Sequence, residues 1–298
     1  VTRPVDAVID FLEAEQARGR THVFLDDSTR DSLRSLYRRA QAGGQSRQVA
    51  TPTPATAVSK EFPAAAAPVL TLEPPIAALP AAPADLTVEG GSKAERLESL
   101  RKQAEHWAPA KALGTLRETM VFAVGNPDAK IMLVGEAPGY QEEKEREPFV
   151  GPAGQKLNDI LKAMGISREE VYISNIVKFR PATPRQTTNN RKPNPEEMAA
   201  CMPFVRAEVD IIRPACVVAL GGTAAEGLLG LTETVGSMRG SWHNFDGIPV
   251  RVTYHPSYLL QSGANLSIKR QVWEDMLTVM EKLAMPISER QRGFFLPK

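Results

Sequence analysis

Beyond the first third of the chain, apolar residues fall in short runs of four or five that alternate with stretches of helical spacing. Ile131 to Val134, Val171 to Ser174, Cys216 to Leu220 and Val250 to Tyr254 read as strands, and so does Met120 to Val124. Between them, Ala153 to Met164 puts Leu157, Ile160, Leu161 and Met164 on one helical face, with Gly165 where a C-cap glycine belongs. Ser92 opens an earlier helix bearing Leu97 and Leu100; Pro195 to Ile212 and Thr223 to Leu229 are further helices. A last long helix, Ser267 to Leu283, buries Ile268, Val272, Met276 and Met280. Strand–helix alternation of this kind argues for a parallel sheet covered on both faces. The expected fold is α/β: a three-layer α/β/α domain over residues 92–289, built on a central, mostly parallel four-stranded sheet.

The first third reads differently. Val5, Val8, Ile9 and Leu12 form one apolar stripe, and Leu33, Leu36, Tyr37 and Ala40 form another, with Ser28 as a candidate cap. Residues 1–45 are therefore expected to be a small helical segment, near the lower limit for an independent core. Such a segment either docks on the main domain or serves a protein partner. Residues 46–91 hold eight prolines and twelve alanines with no sustained period, a disordered linker by composition.

Composition narrows the class. Net charge is +1, so any contact with nucleic acid has to come from local patches. Two cysteines, Cys201 and Cys216, imply no disulfide framework and suit a reducing compartment. The apolar runs are too short to span a bilayer, and the opening stretch is not a secretory signal. A cytoplasmic monomer without a membrane partner is the expectation.

Candidate chemistry gathers where strands should end. Gly135-Glu136-Ala137-Pro138-Gly139 follows the first buried strand, Asn175 the second, and His255-Pro256-Ser257 the last. In an open parallel sheet, ligands sit in the crevice beyond the carboxyl ends of the strands. A carboxylate, an amide and an imidazole would thus share one mouth. Phe149 lies on a loop, Pro148 to Gly154, rather than inside a periodic core pattern, and suits stacking on a planar ring. Between positions 178 and 192 stand Lys178, Arg180, Arg185, Arg191 and Lys192 with no acid among them, a candidate phosphate-neutralising loop. Leu259 or Leu260 follows the histidine motif and could enter a base stack as an apolar wedge. Gly221-Gly222-Thr223, at another strand-to-helix junction, is a further candidate for phosphate contact.

Taken in order, Val134 to Gly139, Pro148 to Gly151, Ser174 to Lys178, Asn190 to Glu197, Val218 to Gly221 and His255 to Ser257 resemble the motifs of the family 4 uracil-DNA glycosylases, within the wider uracil-DNA glycosylase superfamily. The resemblance covers residues 95–285. It implies an enzyme that extrudes deoxyuridine from DNA, hydrolyses the N-glycosidic bond and so initiates base excision repair; the three strand-end motifs hold no lysine nucleophile, so a monofunctional enzyme without strand cleavage is expected. On that resemblance Glu136 and His255 are catalytic, and Gly135, Ala137, Phe149 and Asn175 bind the base. Lys178, Arg180, Arg191, Pro256, Ser257 and Leu259 would contact DNA. Glu142 and Glu143 match an acidic position of the family but also suit a solvated loop. The alternative is a non-catalytic sensor that binds uracil-containing DNA without turnover.

The chain departs from the family in its cysteines. Family 4 enzymes carry an iron–sulfur cluster on four thiolates. The first pair would fall within His106 to Lys111 and the third at Phe179, and only Cys201 matches. No cluster and no metal are therefore expected, with Trp107 and Phe179 as candidates to fill the space. The loop from Phe179 to Cys201 also contains no histidine, so covalent trapping of uracil-DNA, which certain relatives perform from this loop, is not expected.

Overall fold

The computed structural model describes residues 86–261 and 266–296. The expected helices of residues 1–45 and most of the Pro/Ala-rich segment lie outside the described residues. Strand β1 (Leu116–Met120) pairs antiparallel with β5 (Phe179–Pro181) as a separate two-stranded ribbon. The main sheet is built from β2 (Val124–Gly125), β3 (Ile131–Gly135), β4 (Tyr172–Asn175), β6 (Cys216–Leu220), β7 (Trp242–Phe245) and β8 (Ile248–Thr253). Their spatial order is β2-β4-β3-β6-β8-β7. The middle four are mutually parallel, as expected, and β2 and β7 add antiparallel edges. The expected four-stranded sheet is thus the centre of a six-stranded one. The expected strand Met120 to Val124 is not a strand. Met120 ends β1, Val124 begins β2, and buried Val121 and Phe122 carry the chain between the two sheets.

Helices cover both faces. On one lie α1 (Lys93–Glu105), α2 (Ala108–Ala112), α5 (Pro195–Ile212) and α6 (Gly222–Leu229); on the other, α4 (Pro152–Met164) and α9 (Leu266–Lys282). Shorter helices α3 (Tyr140–Glu145) and α8 (Tyr258–Gln261) follow the ends of β3 and β8, α7 (Val235–Met238) lies between α6 and β7, and α10 (Glu289–Arg292) comes near the C-terminus. Alternation of side chains in the pleat divides the core. Met132, Val134, Val217, Ala219, Val250 and Val252 face α5, while Ile131, Leu133, Ile173, Val218 and Leu220 face α4 and α9. Both faces being covered, the parallel strands read as continuous apolar runs, which is why they were visible in the sequence.

Ends are fixed by local chemistry. Ser92 and Glu95 form a reciprocal capping box on α1, Asn194 and Glu197 another on α5, and Gly165 closes α4 at φ 84°. The described chain packs from Leu86, earlier than the expected boundary at 92. Leu86 and Val88 lie against the first cluster, and the Gln103 amide exchanges hydrogen bonds with the Thr87 backbone at 3.1 and 2.7 Å.

Candidate active site

The carboxyl ends of β3, β4 and β8 open on one cavity of about 280 Å³, lined by Glu136, Ala137, Phe149, Asn175, Arg191, His255 and Ser257 among others. Of the residues singled out by sequence, Gly135 lies directly beneath. A side chain there would collide with the Asn175 Oδ1 and the Phe149 ring, so only glycine lets the two close over β3. Pro256 is buried beside the cavity rather than in its wall.

Phe149 is only 5% exposed and tilts against the His255 ring, with centroids 5.6 Å apart. Its backbone is in the left-handed region, φ 56°, unusual for a bulky residue and sustained only by surrounding contacts. Two residues that sequence reasoning did not assign to this task supply them. The Arg168 guanidinium donates to the carbonyls of Phe149 (3.2 Å) and Pro148 and pairs with Glu147 at 3.0 Å. The Glu142 carboxylate accepts from Gly139 N–H (3.2 Å) and Gly151 N–H (2.9 Å), tying the glutamate turn to the phenylalanine loop. Glu142 had a legible signal, a carboxylate three residues past the helix-opening Gly139. Arg168 had none.

His255 sits at the end of β8, and its protonation follows from its neighbours. The Ser257 backbone N–H, which can only donate, reaches Nδ1 at 3.2 Å, with Ser257 Oγ at 2.8 Å. Nδ1 is therefore an acceptor, and the ring proton resides on Nε2. Burial pushes the pKa down to about 4, so the ring is neutral at pH 7. Gly221, at φ 96°, lies under it: a Cβ there would stand 3.0 Å from the His255 Cβ.

Glu136 is held by Thr223, whose hydroxyl donates to Oε2 at 2.6 Å. Burial raises its pKa; the Thr223 hydrogen bond and the charge of Lys192 oppose the rise, and Glu226 adds to it. Lys192 and Glu226 are themselves paired at 2.6 Å. Thr223 is thus engaged with the carboxylate, not turned out toward a phosphate.

The basic loop requires correction. Lys178 is fully buried. Its ammonium pairs with buried Glu208 at 2.8 Å and donates to Ser174 Oγ (2.6 Å) and to the Asn175 carbonyl (3.1 Å). Arg180 is buried as well, pairing with Glu143 at 2.9 Å and donating to the Asn190 side chain and to the carbonyls of Thr187 and Asn189. Neither can reach a phosphate; an unpaired charge would be intolerable in that interior, so each is matched by a carboxylate from elsewhere in the chain. Arg191 lines the cavity, but its guanidinium binds Glu197 (2.6 Å) and the carbonyls of Ala182 and Thr115. Leu259 also lies outside the cavity, in a neighbouring apolar hollow with Ile160, Val272 and Trp273, whereas Leu260 is 43% exposed. A wedge role suits Leu260 better than Leu259.

The positions where a thiolate cluster would sit do not fit one. Trp107 packs edge-on against Phe204 with centroids 4.9 Å apart and donates from Nε1 to the Ala200 carbonyl at 2.7 Å. Phe179 and Cys201 are buried in the same cluster, and Cys216 lies in the cluster on the opposite sheet face. Burial lifts the two thiols to about 11 and about 12, where they stay protonated at neutral pH and are poor metal ligands. Among the described residues, no group of three or more His, Cys, Asp or Glu side chains is placed to hold a metal ion.

Comparison with known proteins identifies the family. A family model described as the uracil DNA glycosylase superfamily matches residues 122–277. A type-4 uracil-DNA glycosylase of Thermotoga maritima is 44% identical over 164 residues, covering 54% of this chain and 81% of that protein. Type-4 enzymes of Pyrobaculum aerophilum and Saccharolobus solfataricus are 37% and 36% identical, over 50% and 58% of this chain and 76% and 80% of theirs. The match to the family model spans half of the chain and takes in all three strand ends that build the cavity, and the chain belongs to the uracil DNA glycosylase superfamily.

Proposed function

We propose that the chain is a monofunctional uracil-DNA glycosylase that works without an iron–sulfur cluster. The observation that carries this reading is the convergence of Phe149, Asn175, His255 and Glu136 on one cavity. Its size, about 280 Å³, suits a single flipped pyrimidine with part of its sugar.

Each side chain has a task set by its chemistry. Phe149 stacks on the extruded base, its ring fixed by Arg168 and Glu142. The Asn175 amide offers a donor and an acceptor to the pyrimidine O4 and N3–H, a pairing that the exocyclic amine of cytosine reverses. A site built to hydrogen-bond one edge leaves buried polar groups unpaired with the wrong base. The neutral His255 donates from Nε2 to O2, where negative charge accumulates as the bond from N1 to C1′ breaks and the base departs with the electron pair. A donor aimed at charge that develops in the transition state contributes about 3–4 kcal/mol. In its carboxylate form Glu136 faces the cationic sugar; it orients water for attack at C1′ and accepts one of its protons. Among the described residues no lysine lines the cavity, so strand cleavage through an amine adduct is not part of this mechanism.

The absence of a cluster is supported by the apolar side chains that fill its place and by the separation of the two cysteines. Base release from a uracil-containing oligonucleotide, read by alkali cleavage and gel, tests the reading. Wild type should be active, and His255→Ala and Asn175→Ala should each lose about 100- to 1,000-fold in kcat. An inactive wild type that still binds uracil-DNA would favour a sensor, and unchanged activity in both variants would overturn the site.

A further inference from the structure

One face of β8 carries a buried ionic cluster that the mechanism above leaves unused. Val250 and Val252 point toward α5, so Arg251 and Thr253 point the other way, toward α9, and His255 follows two residues further on. Their neighbours in register on β6 are Val218 and Leu220, which are apolar, as are Ile131 and Leu133 on the same face of β3. The strand that delivers His255 instead sets a cation and a hydroxyl into this layer, both buried.

Asp275 of α9 meets them, and it is fully buried. Its Oδ1 accepts from Arg251 Nε at 3.1 Å and Nη2 at 2.8 Å. Its Oδ2 accepts from the Thr253 hydroxyl at 2.8 Å and from Arg239 Nε at 3.0 Å. Four donors fill the acceptor sites of one carboxylate. Arg239, which follows α7, also lies over the Tyr254 ring, 5.9 Å from its centroid. Asp275 therefore holds Thr253 directly and reaches Tyr254 through Arg239, the two residues that lead into His255. The backbone is fixed at the same point, where the Gly221 N–H donates to the Thr253 carbonyl at 2.9 Å. Stability alone does not call for such a cluster, since well-packed apolar side chains in place of a buried ion pair often serve as well or better. Directional hydrogen bonds add what hydrocarbon packing lacks, a fixed position along and around the strand.

We propose that Asp275 is a positioning residue for His255: through Thr253 and Arg239 it fixes the end of β8, so that the imidazole Nε2 meets the base oxygen where charge develops. This inference rests on the glycosylase reading. It has a specific kinetic consequence. The histidine acts on charge that appears only as the base departs, whereas Phe149 and Asn175 hold the base before and after. A loosened β8 end should therefore lower kcat and leave KM nearly unchanged.

The test uses the full chain and an oligonucleotide with one central deoxyuridine, with kcat and KM for uracil release measured well below the melting temperature of each variant. Asp275→Asn sets an amide donor against donors and risks unfolding, so Thr253→Val, which removes one hydroxyl at nearly constant shape, is the main probe. It should lower kcat by about 10-fold, a part of the roughly 100-fold that a 1 Å misplacement can cost, with KM within about 2-fold. Thr253→Ser keeps the hydroxyl and should stay within about 2-fold of wild type in both constants. Placed on His255→Ala, Thr253→Val should change kcat by less than about 2-fold, because the ring it served is gone. A Thr253→Val enzyme with wild-type kcat would overturn the proposal. So would a loss carried by KM, a loss that Thr253→Ser shares, or one that persists in full on His255→Ala. In each of those cases wild type still releases uracil and the glycosylase reading stands. A wild type that releases none would overturn that reading, and this inference with it.

Discussion

In the proposed mechanism His255 donates as a neutral ring, because the fold denies it a second proton, and that has a thermodynamic signature. The buried ring titrates at about 4, below the usual 6.5. Between those values an unfolded chain binds a proton there and the folded chain does not, so stability rises with pH across the window. The contribution is fully present above pH 6.5 and is lost as pH falls toward 4, amounting to about 3 kcal/mol by the conversion of 1.36 kcal/mol per unit. His255→Gln should flatten the stability curve between pH 4 and 6.5, measured by urea unfolding at several pH values; an unchanged slope would show that the ring is protonated in the fold. Thr223 sets the companion group. Its hydroxyl donates to Glu136, opposing the rise that burial imposes on that carboxyl, with Lys192 assisting and Glu226 countering. Thr223→Val should move the acid limb of the kcat/KM profile to higher pH while leaving kcat near wild type at pH 8. A limb that stays put would mean that the hydroxyl does not govern Glu136. The sequence displayed both candidate catalytic residues at strand ends, but it could not display their partners. Thr223 stands 87 positions from Glu136, and only the parallel pairing of β3 with β6 brings them together.

Elements that were legible are those buried on both sides. β3, β4 and β6 are buried along their whole length and read as apolar runs, whereas β2, β5 and β7 are two to four residues long, and β2 and β7 are partly exposed, too short or too mixed for any period to show. The basic loop was misread for a related reason: sequence shows charges but not the carboxylates they meet. Lys178 meets Glu208 from α5, 30 positions away, and Arg180 meets Glu143 from α3, 37 positions away. The loop is held by internal ion pairs, and these brace the Asn175 backbone from beneath. Lys178→Ala, which leaves Glu208 buried and unpaired, should therefore lower stability by about 3–5 kcal/mol without altering the salt dependence of DNA binding. A changed salt slope with intact stability would restore the phosphate role. Beside it, Phe179 fills with Trp107, Cys201 and Phe204 the space between α2, β5 and α5. Phe179→Ala should cost about 3–5 kcal/mol, the usual range for an aromatic core deletion. A melting temperature within a degree of wild type would show that the ring does not hold this corner together.

At the scale of the molecule, the described packing reaches into the stretch that composition assigned to the linker. The Pro/Ala-rich stretch has no period up to Gly91, but Leu86 and Val88 pack on the cluster under α1 and α5, and Gln103 clasps the Thr87 backbone from both sides. Two apolar residues in an otherwise aperiodic tract give no pattern, so only the structure separates them from the linker. α1 in turn covers α5, the helix that carries Glu208 beneath Asn175. A chain starting at Leu86 should therefore retain uracil release at the full-length rate. A chain starting at Ser92 loses the partial burial of two side chains, about 1–2 kcal/mol in all at the usual value for apolar surface. For a domain of this size that corresponds to a melting temperature lower by roughly 2–8 °C, with kcat little changed at temperatures where both are folded. Calorimetry on the two truncations, with base release measured on each, checks this. Equal melting temperatures would show that residues 86–91 belong to the linker after all, and loss of activity in the Leu86 chain would show that the first 85 residues contribute to the reaction itself.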